Sequence, residues 1–209
     1  SSAASDVYKR QVFTVQMSVN EQKKQLRKAL LQKRKLLCDS ETAVKNAAIT
    51  ENLLSLEKVR TADIILPFVS TDGEVDTREF ITQCLKAGKN VAVPRCIDGS
   101  NMEFCVIHTF DDLEKGMYGI DEPKKSCAVI DAAGAENSVL IVPALCFNAK
   151  GFRLGYGKGY YDRFINGYKG YTVGVCYEEF LTEDIPVDDY DRCVDIVITE
   201  KRKGQKYGE

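Results

Sequence analysis

Residues 138–162 read SVLIVPALCFNAKGFRLGYGKGYYD, and the two halves of this stretch decide the fold. Residues 138–147 form the most apolar run in the chain and read as a central β-strand. A glycine-rich string follows at once, with Gly151, Gly155, Gly157 and Gly159, and it leads into a short helix predicted over residues 160–165. Strand, glycine loop and helix in succession is an α/β pattern. In open sheets of that class, ligands gather beyond the carboxyl ends of the strands, so the loop is the first place to look for a site.

Working outward, the same alternation continues in both directions. From Asn20 the pattern is helical. Leu26, Ala29, Leu30, Lys33 and Leu37 share one face, and Lys23, Lys24, Arg27, Lys28, Lys33, Arg34 and Lys35 make the segment strongly basic. A second helix is predicted from an N-cap at Ser40 to Leu56. Residues 62–69 are a short apolar run suited to a buried strand, followed by a polar turn over residues 70–74 and another helix. Asp76 and Glu79 read as a capping box for that helix, and Gly88 closes it. Residues 90–97 and 102–108 are strands of a predicted hairpin. Residues 171–177 and 194–199 supply two more. The expected fold is a layered α/β domain with a mostly parallel open sheet and helices on both faces.

Residues 17–209 are expected to form a single domain. The first sixteen residues show no hydrophobic period and read as a disordered tail. Within them, Asp6-Val7-Tyr8-Lys9-Arg10-Gln11 resembles the translation of a transposon-end adapter used in DNA sequencing libraries, which makes Met17 the natural start. The chain carries 29 Lys and Arg against 31 Asp and Glu, a net charge of −2, which argues against bulk nucleic-acid binding but allows a local basic patch. No apolar run approaches the roughly 18 residues needed to span a bilayer. A cytoplasmic monomer is expected, with no nucleic-acid or membrane partner.

The eight cysteines are never closer than nine residues, so no CxxC pair exists, and Cys84, Cys105, Cys146 and Cys176 read as small buried hydrophobes. The single histidine, His108, reads as a strand-end residue, and any His-dependent triad or multi-His metal site would have to be built around this one imidazole. Chemistry therefore falls to the glycine loop. Its glycines permit close backbone approach, and Arg153 and Lys158 add positive charge, a combination suited to phosphate. A helix starting near Tyr160 would add free N–H groups. Neither the P-loop pattern nor the dinucleotide fingerprint fits: Phe152 stands five before Gly157, Gly159 follows Lys158, and the glycines alternate up to Tyr160. A glycine turn without a ligand stays open on composition alone.

The full string is more specific than its glycines. Leu140-Ile141-Val142-Pro143-Ala144, Phe147, Gly151 and the run from Arg153-Leu154-Gly155-Tyr156 to Tyr161-Asp162-Arg163 resemble the signature of the 5-formyltetrahydrofolate cyclo-ligases, also called methenyltetrahydrofolate synthetases. Further matches occur in order at Lys23-Lys24-Gln25-Leu26-Arg27, residues 68–74, Val93-Pro94-Arg95, Gly119-Ile120-Asp121-Glu122-Pro123 and Val194-Asp195, so the resemblance runs from about residue 20 to 199. Asn148 departs from the pattern, where many members have Asp, and that weakens any catalytic role there.

The resemblance implies a Rossmann-like sheet of the type that phosphosugar isomerases and CoA transferases also use. It implies ring closure of 5-formyltetrahydrofolate to 5,10-methenyltetrahydrofolate with ATP and Mg²⁺, through a phosphorylated formyl oxygen, releasing ADP and phosphate. On that basis Lys23, Lys24, Arg27, Arg153, Leu154, Gly155, Gly157, Lys158, Gly159, Tyr160 and Tyr161 are candidates for ATP. Val69, Glu74, Arg95, Met102, Tyr156 and Tyr160 are candidates for the folate, and Asp162 and Asp195 for magnesium. Lys158, Tyr160 and Arg153 are the candidates for chemistry. Glu122 can face the site or serve a turn. Other readings are a folate-binding protein without turnover and an isomerase-like enzyme on the same scaffold.

Overall fold

A computed structural model describes residues 17–203. The predicted tail with its adapter-like hexapeptide lies outside the described residues, as do residues 204–209. In chain order the elements are α1 (Val19–Arg34), α2 (Asp39–Ser55), α3 (Glu57–Thr61), β1 (Ile64–Leu66), α4 (Arg78–Lys86), β2 (Asn90–Cys96), β3 (Met102–Ile107), β4 (Leu113–Lys115), β5 (Asp121–Pro123) and β6 (Val129–Ile130). There follow β7 (Ser138–Pro143), β8 (Cys146–Phe147), β9 (Arg153–Leu154), α5 (Tyr160–Ile165), β10 (Tyr171–Val175) and β11 (Ile196–Ile198).

Seven strands form one sheet in the order β11-β10-β7-β1-β2-β3-β6. The pairs from β11 across to β2 are parallel, and β3 then pairs antiparallel with both β2 and β6. The mostly parallel layered α/β sheet is thus as expected. Strand β7 shows why the apolar run had to be central. Val139, Leu140, Ile141 and Val142 alternate between the two faces of the sheet, yet all are buried, so both faces are covered. Next to β7, Gly174 of β10 is a glycine because a Cβ there would overlap the Phe147 ring.

Four expectations change in detail. The run 138–147 is not one strand: β7 ends at Pro143, and Cys146 and Phe147 turn away to pair antiparallel with Leu154 and Arg153. The glycine string thus opens inside a small ribbon, with Arg153 opposite Phe147. Helix α4 is capped at Thr77, without the reciprocal capping box; instead Asp76 accepts a 2.9 Å bond from the Arg78 N–H while Glu79 accepts from Gln83. Helix α2 starts at Asp39, with Cys38 at its N-cap.

The fourth change concerns α1. Its start is set by a capping box in which Ser18 accepts from the Glu21 N–H at 3.3 Å and Glu21 accepts from the Ser18 N–H at 3.0 Å. The inward stripe is the predicted apolar one only in part: Leu30 is in the core and Leu26 and Leu37 pack against it. Leu30 is buried, but Ala29 and Lys33 are exposed, and the other buried residues of the helix are Lys23 and Arg34. Lys23, Arg27, Leu30 and Arg34 follow the i, i+4, i+7, i+11 spacing of one helical face, so α1 turns part of its positive charge toward the interior.

Candidate active site

The loops after β1 and β7, with the end of β2 and the start of β3, enclose a cavity of about 860 Å³ at the carboxyl end of the parallel strands. The glycine loop forms part of its wall. Gly157 adopts φ +98°, a conformation that L side chains rarely take, which favours glycine where the loop passes the Arg27 guanidinium. The Arg27 Nε in turn donates to the Gly155 carbonyl at 2.9 Å. Helix α5 follows with only six residues, and it is tied to the β2–β3 turn because Tyr160 donates to the Asp98 carbonyl at 2.7 Å and Arg163 donates to the Ser100 carbonyl.

The cations of the cavity fall into two groups. Lys23 is buried and donates to Asp188 at 2.7 Å and Asp191 at 2.5 Å; burial opposes its charge, but the two carboxylates outweigh that and hold its pKa above the usual lysine value. Arg153 is buried, with Nη1 donating to the Arg192 carbonyl at 2.9 Å and Nη2 2.8 Å from Asp162 Oδ1. Burial lowers its pKa, and Asp162 resists the shift. Arg27 and Lys158 differ. Both line the cavity, and among the described residues neither has a carboxylate within ion-pair distance. Lys158 is exposed, with its Nζ 5.5 Å from the centre of the Tyr118 ring.

A second part of the cavity is apolar and aromatic. Phe68 and Val69 after β1, Pro94 on β2, Met102 on β3 and the Tyr118 and Tyr160 rings line it. Among its carboxylates is Glu74, whose Oε2 accepts from the Thr71 N–H at 2.9 Å and the Thr71 hydroxyl at 3.0 Å. Burial pushes the Glu74 pKa up, while the Thr71 bonds, the Arg34 charge and a bond from Tyr156 pull the other way. The Tyr156 hydroxyl is pushed up to about 12 by burial and by the Glu74 charge. Burial also raises the hydroxyls of Tyr160 and Tyr161, so all three phenols are neutral at physiological pH.

Of the residues expected from sequence, Lys23, Arg27, Val69, Glu74, Met102, Arg153, Leu154, Gly155, Tyr156, Gly157, Lys158, Gly159, Tyr160, Tyr161 and Asp162 line this one cavity, together with Glu122. Three expected residues do not. Lys24 is exposed on α1, one residue and therefore about 100° of helix away from Lys23. Arg95 is taken up by Glu103 across the hairpin, at 2.6 and 2.9 Å, and by the Lys124 carbonyl at 2.8 Å. Asp195 stands before β11 at the opposite, amino end of the strands. Its Oδ2 accepts from the Thr172 N–H and hydroxyl, each at 2.7 Å, so it does not share a site with Asp162. Asn148 accepts from the Lys150 and Phe152 N–H groups at 3.0 Å and closes its own turn.

Sequence reasoning missed Asp188, Asp191 and Arg192, which sit in a segment with no period, and Arg34, which the helical spacing from Lys23 and Arg27 could have exposed. Cys84, Cys105, Cys146 and Cys176 are buried free thiols, and His108 is exposed just past β3, as expected. Among the described residues no three His, Cys, Asp or Glu side chains gather as a metal cage. A magnesium ion bound with nucleotide needs only one or two carboxylates besides phosphate and water, and Asp162, a hard oxygen donor on the cavity wall, meets that requirement. No described helix is long and apolar enough to cross a membrane.

Comparison with known proteins gives a consistent result. Residues 19–200 match the model of the 5-formyltetrahydrofolate cyclo-ligase family. The 5-formyltetrahydrofolate cyclo-ligase of Escherichia coli K12 is 30% identical over 82% of this chain and 96% of its own length, and that of Mus musculus is 30% identical over 88% and 96%. Among solved structures, the 5,10-methenyltetrahydrofolate synthetase of Aquifex aeolicus superposes with a TM-score of 0.76 at 30% identity, covering 86% of this chain and 90% of that one.

Proposed function

The chain belongs to the 5-formyltetrahydrofolate cyclo-ligase family, and from that premise we propose how its cavity divides the work: ATP at the cationic part, the folate at the apolar part, and magnesium between phosphates and Asp162. The reaction closes 5-formyltetrahydrofolate to 5,10-methenyltetrahydrofolate. A formamide oxygen is a poor leaving group, so it is first phosphorylated: the formyl oxygen attacks the γ-phosphorus and the bond to ADP breaks. N10 then attacks the formyl carbon and gives up its proton, while the carbon–oxygen bond breaks and phosphate leaves with that oxygen. ATP supplies the phosphoryl group, and no covalent protein intermediate is needed.

Phosphoryl transfer of this kind depends on position and charge neutralisation. The observation that carries the assignment is that Arg27 and Lys158 line the cavity without a carboxylate partner among the described residues, while Lys23 and Arg153 are already neutralised. Unpaired cations held by a carbonyl and a ring are free to meet a polyanion. Arg153 keeps Asp162 and the Arg192 backbone in register, and Lys23 does the same for the segment bearing Asp188 and Asp191. Magnesium held by Asp162 would add charge neutralisation at the phosphates. Val69 and Met102 suit the flat pterin, and Glu74 can accept from its N–H donors. The Tyr160 hydroxyl already bonds the Asp98 carbonyl, so its ring rather than its hydroxyl is offered for stacking.

The test is spectroscopic. Purified protein with 5-formyltetrahydrofolate, ATP and Mg²⁺ should develop the near-ultraviolet absorbance of the methenyl product, and omission of ATP should abolish it. Folate binding without that signal would instead favour storage without turnover.

A further inference from the structure

We propose that Arg34 is a positioning residue for the folate part of the cavity: its guanidinium bonds the Tyr156 oxygen and so turns the Tyr156 hydroxyl proton toward the cavity that Glu74 also lines. This rests on the reading above that Glu74 and Tyr156 face the folate.

Arg34 does not line the cavity, and it ends α1 seven residues after Arg27 and eleven after Lys23. It is 9% exposed. Nη1 donates to Tyr156 Oη at 2.9 Å, Nη2 donates to the Ala144 carbonyl just past β7, and the guanidinium carbon lies 5.5 Å from the centre of the Phe180 ring. An arginine cannot accept a hydrogen bond. The Tyr156 oxygen must therefore accept from it, and the one phenolic proton is left to point elsewhere. Glu74 lines the same cavity, and its charge opposes ionisation of Tyr156, which keeps that proton in place. Thr71 occupies Glu74 Oε2 with both its N–H and its hydroxyl. The relay thus has a fixed polarity, from Arg34 to Tyr156 and from Tyr156 toward the cavity, and it ties the end of α1 to the glycine loop and to the segment after β7.

Stability alone gives little reason for a cation here. A buried charge carries a desolvation cost that a well-packed apolar side chain would avoid, and the buried Arg34 Nε has no acceptor among the described residues. What an apolar replacement could not do is set the direction of the Tyr156 proton.

The test is a double-mutant cycle read as KM for each substrate. Arg34→Met and Tyr156→Phe should each raise the KM for 5-formyltetrahydrofolate about tenfold, the size of a lost charge-assisted hydrogen bond, with the KM for ATP unchanged. The double variant should be no worse than the more severe single variant, because one relay cannot be broken twice. Effects that multiply, or an ATP KM that moves as far as the folate KM, would overturn the proposal. If Arg34→Met does not fold, the same cycle with Arg34→Lys applies: its rise in folate KM should vanish in the Tyr156→Phe background, and a rise that persists there contradicts the relay. Glu74→Gln separates the two levels of the argument. If neither Glu74→Gln nor Tyr156→Phe moves the folate KM, the folate reading falls and the proposal with it. If both move it and the Arg34 variants do not, only the proposal falls.

Discussion

The two parts of the cavity solve opposite problems of charge. Where α1 meets the glycine loop, positive groups are gathered, and those that are buried, Lys23 and Arg153, each have carboxylates at 2.5–2.8 Å. Arg27 and Lys158 are left with a carbonyl and an aromatic ring. Where the loop after β1 meets the β2–β3 hairpin, the walls are Phe68, Val69, Pro94 and Met102, and the carboxylates include the half-buried Glu74, whose pKa is raised, and the buried Glu122. Fixed cations can accept a polyanion with little rearrangement. An acceptor set in an apolar wall discriminates by hydrogen bonding instead, because an unmatched buried polar group is costly.

The sharpest way to break this contrast is at Lys158. Lys158→Ala should lower kcat/KM for ATP by about 10²–10³, the range for removing one group that stabilises charge in a transition state. Initial rates against ATP concentration measure it, and an unchanged ATP dependence would remove Lys158 from the nucleotide site. Asp162→Asn should raise the Mg²⁺ concentration for half-maximal rate by roughly tenfold, within the range that altered metal-site partners produce. A metal titration identical to the parent's would exclude a ligand role.

On the apolar side, Glu74→Gln should raise the folate KM several-fold and, unlike the first two substitutions, increase stability at neutral pH. A carboxyl whose folded pKa is raised holds its proton more tightly in the folded than in the unfolded state. Its penalty is therefore absent below the unfolded pKa, about 4.3, grows as pH rises toward the folded value, and is complete above it. Melting temperatures of parent and variant should converge near pH 4 and separate above it; a constant difference across that range would contradict the buried carboxylate. The smallest effect is expected at Asp195. Asp195→Ala strands the Thr172 N–H and should cost about 1 kcal/mol, a fall in Tm of roughly 2–4 °C, with Mg²⁺ dependence unmoved. A shifted metal titration would return Asp195 to the site.

Much of this was legible in the sequence where local pattern and tertiary environment agree. Helix α5 was expected over the residues it occupies, and the β2–β3 hairpin agrees to within a residue at each strand end. The break between Pro143 and Cys146 was not legible, because the run stays apolar across the turn and only the pairing of Phe147 with Arg153 reveals it. Site residues followed the same rule. The glycine loop is contiguous, so its residues reach the cavity together, and the family resemblance supplied their roles. Arg95 and Asp195 were misplaced because a charge in sequence does not disclose its partner: Glu103 claims one across a hairpin, and Thr172 the other across two strands. Arg34 was overlooked because a cation on a basic helix reads as solvated until the fold turns that face inward.

The division of the cavity is tested most directly by crossing two substitutions with two substrates. KM values for ATP and for 5-formyltetrahydrofolate, measured for Lys158→Ala and Glu74→Gln, should move in a crossed pattern: the lysine variant shifts ATP and spares the folate, and the glutamate variant shifts the folate and spares ATP. If both variants shift the same substrate, or each shifts both equally, the cavity is not divided in this way.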